Sequence, residues 1–352
     1  MDFVSRSFPF GAFDRCIVIG EVGVNHNNTE SLLFKLIDEG IAAGVDVIKL
    51  QRFKASEEIS RFADSTEYQR KAGVGATQLA MAEKLELSDE LLVRAFEYCK
   101  RQKIAFLCTA FDHSSVDFLA DVLRVKTVKV PSPEITNKPL IEHMARKFDS
   151  LLISTGASDL SECLRVLEWV RAIGTRDVAF MHCTSQYPAP IEQANLMAIP
   201  TMRSALNRPI GYSDHTEGIV VATAAAALGA AMLEKHFTID KNLPGPDHKA
   251  SADISELKAL VQSLRNVSLS LGNGVKAPAP AERENLPLIR KSFTCAVDRL
   301  KAGTVIEARM LGIKRPHVQG AVEPYEGDRI VGMTIRKDKE FDEPILWSDF
   351  RS

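Results

Sequence analysis

The chain has 352 residues, of which 45% are hydrophobic and 26% charged, and its 44 basic and 46 acidic residues give a formal net charge of −2. Such a length suits a barrel of roughly 250 to 300 residues with a small additional domain. The interspersed charges and the aromatic content of 7% exclude the basic surface and stacking platform of a nucleic-acid-binding protein, so we expect small molecules or a second copy of the chain as partners.

Short apolar or β-branched runs alternate with amphipathic segments along the first three quarters of the chain. The runs predict strands at residues 16–21, 45–50, 104–109, 127–130, 151–154, 178–183, 210–213 and 231–236. The segments between and after them carry apolar residues at three- and four-residue spacing and predict helices at residues 29–43, 87–102, 114–123, 137–147, 160–173, 195–206, 217–228 and 254–271. Strand and helix alternating eight times predict an α/β fold, a (β/α)8 TIM barrel.

The pattern changes after the last predicted helix. The segment Ala277-Pro-Ala-Pro-Ala281 is typical of a stiff linker, and from about residue 290 the chain has short alternating runs with glycines at turn-like positions. We predict a catalytic barrel at residues 1–276, a linker at 277–289 and a small β-rich domain at 290–352. A polar insertion at residues 54–85, after the second strand, is expected to lie over the barrel mouth.

The cysteine pattern is typical of a reduced compartment. The six cysteines have no Cys-x-x-Cys spacing, and they are Cys16, Cys99, Cys108, Cys163, Cys183 and Cys295. Residues 1–13 lack the charged start and apolar stretch of a signal peptide, and the longest apolar run, residues 219–233, is short for a membrane span. We therefore expect a cytoplasmic protein without membrane contact.

The polar residues of the predicted barrel collect at the carboxyl ends of its strands, where barrel enzymes build their active sites. In chain order these residues are Glu21, Lys49, Gln51, Thr109, Lys129, Ser132, Glu134, Ser154, Ser185, Tyr187, Ser213, His215, Glu234 and His236. Without a site here, such groups would be scattered over both ends of the strands. We therefore expect one active site at the carboxyl end.

His215 and His236 follow two neighbouring predicted strands. A single strand-end histidine is more often a hydrogen-bonded core residue, but two of them on adjacent strands within polar motifs favour metal ligands. Two neutral imidazoles with open positions beside them suit a catalytic Mn²⁺ or Mg²⁺ that acts as a Lewis acid.

Two lysines among hydroxyl groups predict an anion site. Lys49 and Lys129 fit an anion that carries both phosphate and carboxylate. The surrounding hydroxyls are those of Thr109, Ser132, Ser154, Ser185 and Ser213. For each lysine taken alone, a buried salt bridge is an equally good interpretation. Glu21 and Glu134 then remain for proton handling or for binding sugar hydroxyls.

Longer motifs surround these residues. They are Glu21-Val-Gly-Val-Asn-His-Asn27, Val47-Ile-Lys-Leu-Gln51, Lys129-Val-Pro-Ser-Pro-Glu134, Ser154-Thr-Gly156, His182-Cys-Thr-Ser-Gln-Tyr-Pro188, Gly211-Tyr-Ser-Asp-His-Thr216, Glu234-Lys-His-Phe-Thr238 and Gly245-Pro-Asp-His-Lys-Ala-Ser251. In this order they resemble the sialic acid synthase family, which includes N-acetylneuraminate, legionaminate and pseudaminate synthases. Arg290-Lys-Ser292 and Lys314-Arg-Pro316 extend the resemblance into the family's small C-terminal antifreeze-like (SAF) domain.

The resemblance implies that phosphoenolpyruvate condenses with an open-chain N-acetylmannosamine-type sugar. C–O cleavage releases phosphate, and the product is a nine-carbon 2-keto acid such as N-acetylneuraminate or legionaminate. His215 and His236 would hold the metal, preferably Mn²⁺ with Mg²⁺ or Co²⁺ as alternatives, and Glu21 would be the acid or base.

The same resemblance implies roles for the substrate-binding residues. Lys129 and Thr109 correspond to carboxylate-binding positions. The phosphate-binding positions would be Ser132, Ser154, Ser185 and Ser213, and the residues facing the sugar would be Gln51, Glu134, Tyr187 and Asp247. Arg315 matches an arginine that covers the partner's acceptor site, which implies a domain-swapped homodimer.

The chain departs from the family pattern at four places. Ala110 stands where proline is common, and Ala157 stands where methionine is common. Pro133 replaces a common glycine and stiffens the loop that shapes the phosphate site. The segment Arg315-Pro-His-Val-Gln-Gly320 is one residue longer than usual. None of these changes removes a chemically essential group.

Three other functions fit parts of the pattern. The first is another phosphoenolpyruvate-dependent aldol synthase of this barrel type, acting on a phosphorylated aldose, but the SAF-like tail and the run Tyr212-Ser-Asp-His-Thr216 argue against it. A metal-dependent barrel hydrolase usually has His-x-His on its first strand, which this chain lacks. A non-catalytic carbohydrate- or ice-binding protein would not require the lysines, glutamates and histidines that are all present.

Overall fold

Eight strands close into a parallel barrel in sequence order, among the residues that the computed structural model describes, which are 15–63, 77–175 and 177–350. They are β1 (Ile17–Gly23), β2 (Val47–Arg52), β3 (Ala105–Ala110), β4 (Thr127–Val130), β5 (Ser150–Ser154), β6 (Asp177–Cys183), β7 (Ile210–Asp214) and β8 (Met232–His236). The strands are almost entirely buried on both faces, as expected for parallel strands covered by helices.

Amphipathic helices bury one face against the barrel and expose the other. The described helices of this part are α1 (Glu30–Ala43), α2 (Ala55–Glu58), α3 (Gln78–Leu85), α4 (Asp89–Gln102), α5 (His113–Asp117), α6 (Lys138–Lys147), α7 (Leu160–Ile173), α8 (Ala198–Leu206), α9 (Val220–Ala227) and α10 (Ile254–Ser270). Polar side chains fix several of their starts, since Asp159 and Asp253 form capping boxes before α7 and α10, and Ser88 caps α4.

The barrel interior is layered. Side chains alternate along a strand, so Ile17, Ile19 and Glu21 of β1 share its inner face. The lower layers form an apolar cluster that is separate from the cluster between barrel and helices, and its members are Ile17, Ile19, Val47, Ala105, Leu107, Leu152, Ala179, Met181 and Met232. The charged residues at the carboxyl ends therefore lie above packed apolar layers. Barrel enzymes place their active sites at this end.

A second unit, residues 273–352, has its own core. Its antiparallel pairs are β9 (Ser292–Cys295) with β11 (Leu311–Lys314) and β10 (Arg299–Leu300) with β12 (Lys339–Glu340), and its short helices are α11 (Pro280–Arg283), α12 (Leu286–Ile289) and α13 (Gly327–Ile330). The core cluster includes Phe293, Ile306, Val322, Ile330 and Ile345. A buried ion pair joins Lys339 to Asp349, with 2.9 Å between Nζ and Oδ2.

The predicted barrel is confirmed, and the observed bounds of most elements lie within three residues of the predicted ones. The predicted helix at 114–123 is α5 followed by a π-helical turn at Phe118–Val122. Part of the predicted insertion forms α2 and α3, while residues 64–76 lie outside the described part of the chain. The segment predicted as a linker contains α11 and α12.

The cysteines and the helices give two further findings. The six cysteines all lie in described positions, are all buried and form no disulfide. In the described ranges, no helix has the length and apolar content needed to cross a bilayer.

Candidate active site

A cavity of about 350 Å³ opens at the carboxyl end of the barrel. It brings together most of the residues predicted from the sequence: Glu21, Lys49, Gln51, Thr109, Lys129, Ser132, Ser154, Ser185, Tyr187, Ser213, His215, His236 and Asp247. They come from strand ends and from the loops that follow them. Parallel strands in a closed barrel present all their carboxyl ends on one side, which explains why residues distant in sequence meet here.

Two buried ion pairs occupy the floor of the cavity. Lys49 Nζ lies 2.7 Å from Glu21 Oε2 and donates to Thr109 Oγ1 at 3.0 Å. Lys129 Nζ donates to both carboxylate oxygens of Glu234, at 2.6 and 2.7 Å. The lysines and glutamates are each less than 5% exposed. Isolated charges at such depth would be very costly, and the pairing of two lysines with two carboxylates offsets that cost.

The pKa values of the two carboxyl groups on this floor are shifted in opposite directions. Burial raises the pKa of Glu21, against the lowering effect of Lys49. Burial acts in the same direction on Glu234, but Lys129 and Lys49 together outweigh it and lower the pKa of Glu234 to about 2. Glu234 therefore holds the lysines as a permanent anion, while Glu21 is the carboxyl group better suited to taking up and releasing a proton.

The rings of His215 and His236 lie 5.8 Å apart, centroid to centroid. Burial lowers the pKa of His215 to about 4 and that of His236 well below its usual value, so both imidazoles are neutral near pH 7. Nδ1 of His215 lies 2.7 Å from the Thr184 carbonyl oxygen and must donate to it, which leaves Nε2 unprotonated, 3.4 Å from the Ser213 hydroxyl oxygen.

These two histidines fit a divalent cation. His236 Nδ1 is buried without a hydrogen-bond partner, and Asp247 Oδ2 lies 3.6 Å away. A bound cation would satisfy this nitrogen, which is otherwise costly to bury. No group of three or more His, Cys, Asp or Glu side chains among the described residues is arranged to hold a metal. Two protein donors would leave positions for water and substrate oxygen, as in catalytic rather than structural sites.

Hydroxyl and amide groups form a cradle beside Lys129. Gly156 N–H donates to Ser132 Oγ at 3.0 Å, and a Cβ atom on Gly156 would lie only 2.0 Å from Ser185 Oγ and 2.8 Å from Ser132 Oγ. Glycine is therefore needed here for the close approach of both serines. Lys129, these hydroxyls and those of Ser154 and Ser213 together suit an oxyanion such as phosphate.

Three side chains line the cavity around the histidines. Tyr187 packs on His215 with 4.2 Å between ring centroids. Gln51 Nε2 donates to Glu21 Oε1 at 2.7 Å. Burial, with Glu21 nearby, raises the pKa of Asp247 to about 7, so its carboxyl group can either accept or donate a hydrogen bond. Such groups suit a polyhydroxylated ligand.

Two further predicted site residues are Glu134 and Arg315. Glu134 does not line the cavity, and its Oε2 accepts a hydrogen bond from Asn137 Nδ2 at 2.5 Å. Arg315 belongs to the second unit, so its role in the acceptor site stays a prediction.

The cavity also contains residues to which the sequence analysis gave no role. Glu234, the partner of Lys129, is the main one, and the signal for it was available because Glu234 lies two residues before His236 and so on the same face of β8. Phe53 and, from the insertion expected over the barrel mouth, Glu58 and Met81 also line the cavity, although no motif singled out these three residues.

Comparison with known proteins gives consistent matches along the chain. The model of the NeuB family matches residues 36–276, and that of the SAF domain matches residues 296–351. The chain is 40% identical over 344 residues to N,N'-diacetyllegionaminic acid synthase of Legionella pneumophila, covering 96% of each chain. It is 34% identical over 258 residues to N-acetylneuraminate-9-phosphate synthase of Drosophila melanogaster, covering 73% of this chain and 69% of that one. The crystal structure of N-acetylneuraminic acid synthetase from Leptospira borgpetersenii, in complex with citrate, superposes with a TM-score of 0.69 at 29% identity over 80% of this chain and 95% of that one.

Proposed function

The chain belongs to the NeuB family and carries a C-terminal SAF domain, and on this basis we propose that it condenses phosphoenolpyruvate with an N-acetylmannosamine-type sugar. The proposal rests on the groups that line one cavity. Two neutral histidines lie in the same cavity as an oxyanion cradle of Lys129, Ser132 and Ser185. This arrangement supports an enzyme that joins an aldehyde to a small phosphorylated carboxylate.

The proposed reaction has two bond-forming stages. C3 of phosphoenolpyruvate attacks the aldehyde carbon of the open-chain sugar, and water adds at C2. The resulting tetrahedral intermediate loses phosphate by C–O cleavage, which leaves a nine-carbon 2-keto acid. A divalent cation held by His215 and His236, Mn²⁺ or alternatively Mg²⁺ or Co²⁺, would supply Lewis acidity for the aldehyde oxygen.

The residues of the cavity have separate tasks in this proposal. Lys49, Lys129 and Thr109 bind the carboxylate end, while the serine hydroxyls bind the phosphate, with Ser132 held in place by the Gly156 N–H. Glu21, with its raised pKa and its hydrogen bond from Gln51, handles the proton of the attacking water. Because Glu234 already pairs with Lys129, the incoming anion shares this lysine with Glu234 and does not meet a free charge.

The acceptor side and the assembly complete the proposal. Gln51, Tyr187 and Asp247 face the sugar, which is N-acetylmannosamine or its 2,4-diacetamido-6-deoxy relative, and the product is N-acetylneuraminate or legionaminate. Arg315 of one subunit covers the acceptor site of the other in a domain-swapped homodimer. The reaction takes place in the cytoplasm, as the six unpaired cysteines favour.

The decisive experiment measures phosphate release together with the product mass. Wild-type protein is incubated with phosphoenolpyruvate and either sugar, with Mn²⁺ or after chelation. We expect release only with Mn²⁺ and sugar together, and its loss in His215→Ala and in His236→Ala. Equal release after chelation would show the metal role to be wrong, and absence of a nine-carbon product would refute the condensation.

A further inference from the structure

The cavity has two chemically different halves. Its floor, at the strand ends, carries the paired lysines and glutamates and the hydroxyls. Its outer wall is largely apolar, with Val24, Phe53, Ile59, Met81, Leu85 and Phe111, and it also carries Glu58 and Gln78. The apolar residues belong to a hydrophobic cluster that is separate from the barrel core, and the rings of Phe53 and Phe111 meet edge to face at 5.9 Å. The wall is thus a packed surface that borders the same cavity as the paired lysines.

Partly buried hydrogen bonds hold the start of α2 beside this wall. Lys54 N–H, at the start of α2, donates to Asp112 Oδ2 at 2.8 Å, and Ala55 N–H donates to Glu86 Oε1 at 2.7 Å. Met81, on α3, is only 7% exposed. The apolar side chains are therefore held in place at the cavity, as a selective subsite requires.

The outer half of the cavity is lined by the carboxyl group of Glu58 and by no cation among the described residues, and the nearby Lys54 pairs with Glu86, with 3.6 Å between Nζ and Oε2. Among the described lining residues, the only cations are Lys49 and Lys129, and both are paired on the floor. Glu58 lines the outer half, and burial together with Glu134 and Asp112 raises the pKa of Glu58 to about 7. A phosphate placed here would lose water against apolar side chains and face carboxylates without a counter-ion. A neutral polar substituent would instead exchange a hydrogen bond with Glu58.

We infer that this outer half selects the acceptor: it takes an unphosphorylated sugar whose far end carries methyl groups against Phe53 and Met81, with Glu58 bonded to a neighbouring amide or hydroxyl group. The inference rests on the proposed function and deepens it. Family membership does not decide the point, because the relatives include a synthase named for a 9-phosphate product. The same wall disfavours a phosphorylated aldose as the acceptor.

The test compares three acceptors: N-acetylmannosamine, its 6-phosphate and 2,4-diacetamido-2,4,6-trideoxymannose. We expect wild-type kcat/KM to be at least about 100-fold lower for the phosphate ester than for the deoxy sugar, since a like charge in such a site costs several kcal/mol. Met81→Lys should narrow this gap at least about tenfold while leaving the KM for phosphoenolpyruvate unchanged.

Glu58→Leu tests the polar contact, because a leucine side chain neither donates nor accepts a hydrogen bond. We expect it to lower kcat/KM for the diacetamido sugar about tenfold, the value of one hydrogen bond, with an unchanged KM for phosphoenolpyruvate. Glu57→Leu is the matched control, because Glu57 is exposed on the same short helix. Comparable use of the phosphate ester by wild-type protein, or equal behaviour of the two leucine variants, would overturn the inference.

Calorimetric titration of the three sugars separates this inference from the proposed function. If no sugar supports phosphate release, the proposed condensation fails. The order of the three binding affinities then decides the selectivity on its own: tightest binding of the deoxy sugar supports the inference, and tightest binding of the phosphate ester, or equal or absent binding of all three, contradicts it.

Discussion

Lys235 and Asp214 form an ion pair in which Nζ and Oδ2 are 2.7 Å apart and neither residue is more than 1% exposed. The two residues are in register on β8 and β7, and each directly precedes one of the candidate metal ligands, His236 and His215. Asp214 Oδ1 also accepts from the N–H and hydroxyl of Thr216. The pair therefore fixes the strand ends from outside the barrel, while the histidines extend inside it.

The first prediction concerns this pair. Asp214→Asn leaves a buried lysine without its counter-ion, and breaking a buried ion pair costs about 3 to 5 kcal/mol of stability. We expect a lower Tm and, because the histidines lose their fixed spacing, at least about tenfold weaker Mn²⁺ binding in a calorimetric titration. Asp349→Asn is the control, since the buried pair of Lys339 and Asp349 lies in the second unit. It should lower the Tm and leave Mn²⁺ affinity unchanged; unchanged affinity in Asp214→Asn as well would exclude a positioning role.

The second prediction concerns the oxyanion cradle. A methyl group at Gly156 would lie 2.0 Å from Ser185 Oγ, so Gly156→Ala must displace the serine or the ligand. We expect the KM for phosphoenolpyruvate to rise at least about tenfold, with little change in the KM for the sugar. Ser158→Ala serves as a control, because the Ser158 hydroxyl donates to the Thr155 carbonyl oxygen in the same loop and does not line the cavity. An equal rise in both variants would point to a general loss of loop structure.

The third prediction is a pH dependence of stability. The pKa of Glu58 is raised to about 7 by burial and by Glu134, so folding favours the protonated form. Its contribution to stability is complete below the usual pKa of about 4.5 and is lost as the pH rises through 7. Glu58→Gln stays neutral throughout. Thermal unfolding should therefore give similar Tm values for both proteins at pH 5 and a higher Tm for the variant at pH 8. A Tm difference that is the same at both pH values would contradict this assignment.

The fourth prediction concerns the assembly. Arg315→Ala and His236→Ala subunits are each expected to be inactive alone. If Arg315 acts in trans, a mixed dimer has one complete site, and random mixing should recover about a quarter of wild-type activity. Native mass spectrometry must first show that mixed dimers form. No recovery in such a sample would mean that Arg315 acts within its own subunit, and full activity of Arg315→Ala alone would mean that Arg315 has no role at the site.

The fold and most of the site follow from local patterns. Strand and helix periods predict the barrel because each strand must be buried on both faces and each helix on one. The predicted site residues meet because a parallel barrel gathers the carboxyl ends of its strands. Glu134 is the exception within the barrel unit, since its bond to Asn137 draws it out of the cavity lining, and strand position alone carries no information about such a local competitor.

The sequence by itself determined which chemical groups gather at the barrel mouth, because alternation along strands and the direction of the chain are local properties. Only the tertiary structure decided how those groups pair. Lys49 and Lys129 each fitted either a salt bridge or an anion site, and the structure places both in buried ion pairs that also line the cavity. It likewise placed Phe53, Glu58 and Met81 over the mouth. The buried ion pairs and the apolar wall of the cavity both depend on packing between segments far apart in sequence. Their energies are set by distance and burial, which local sequence patterns do not contain.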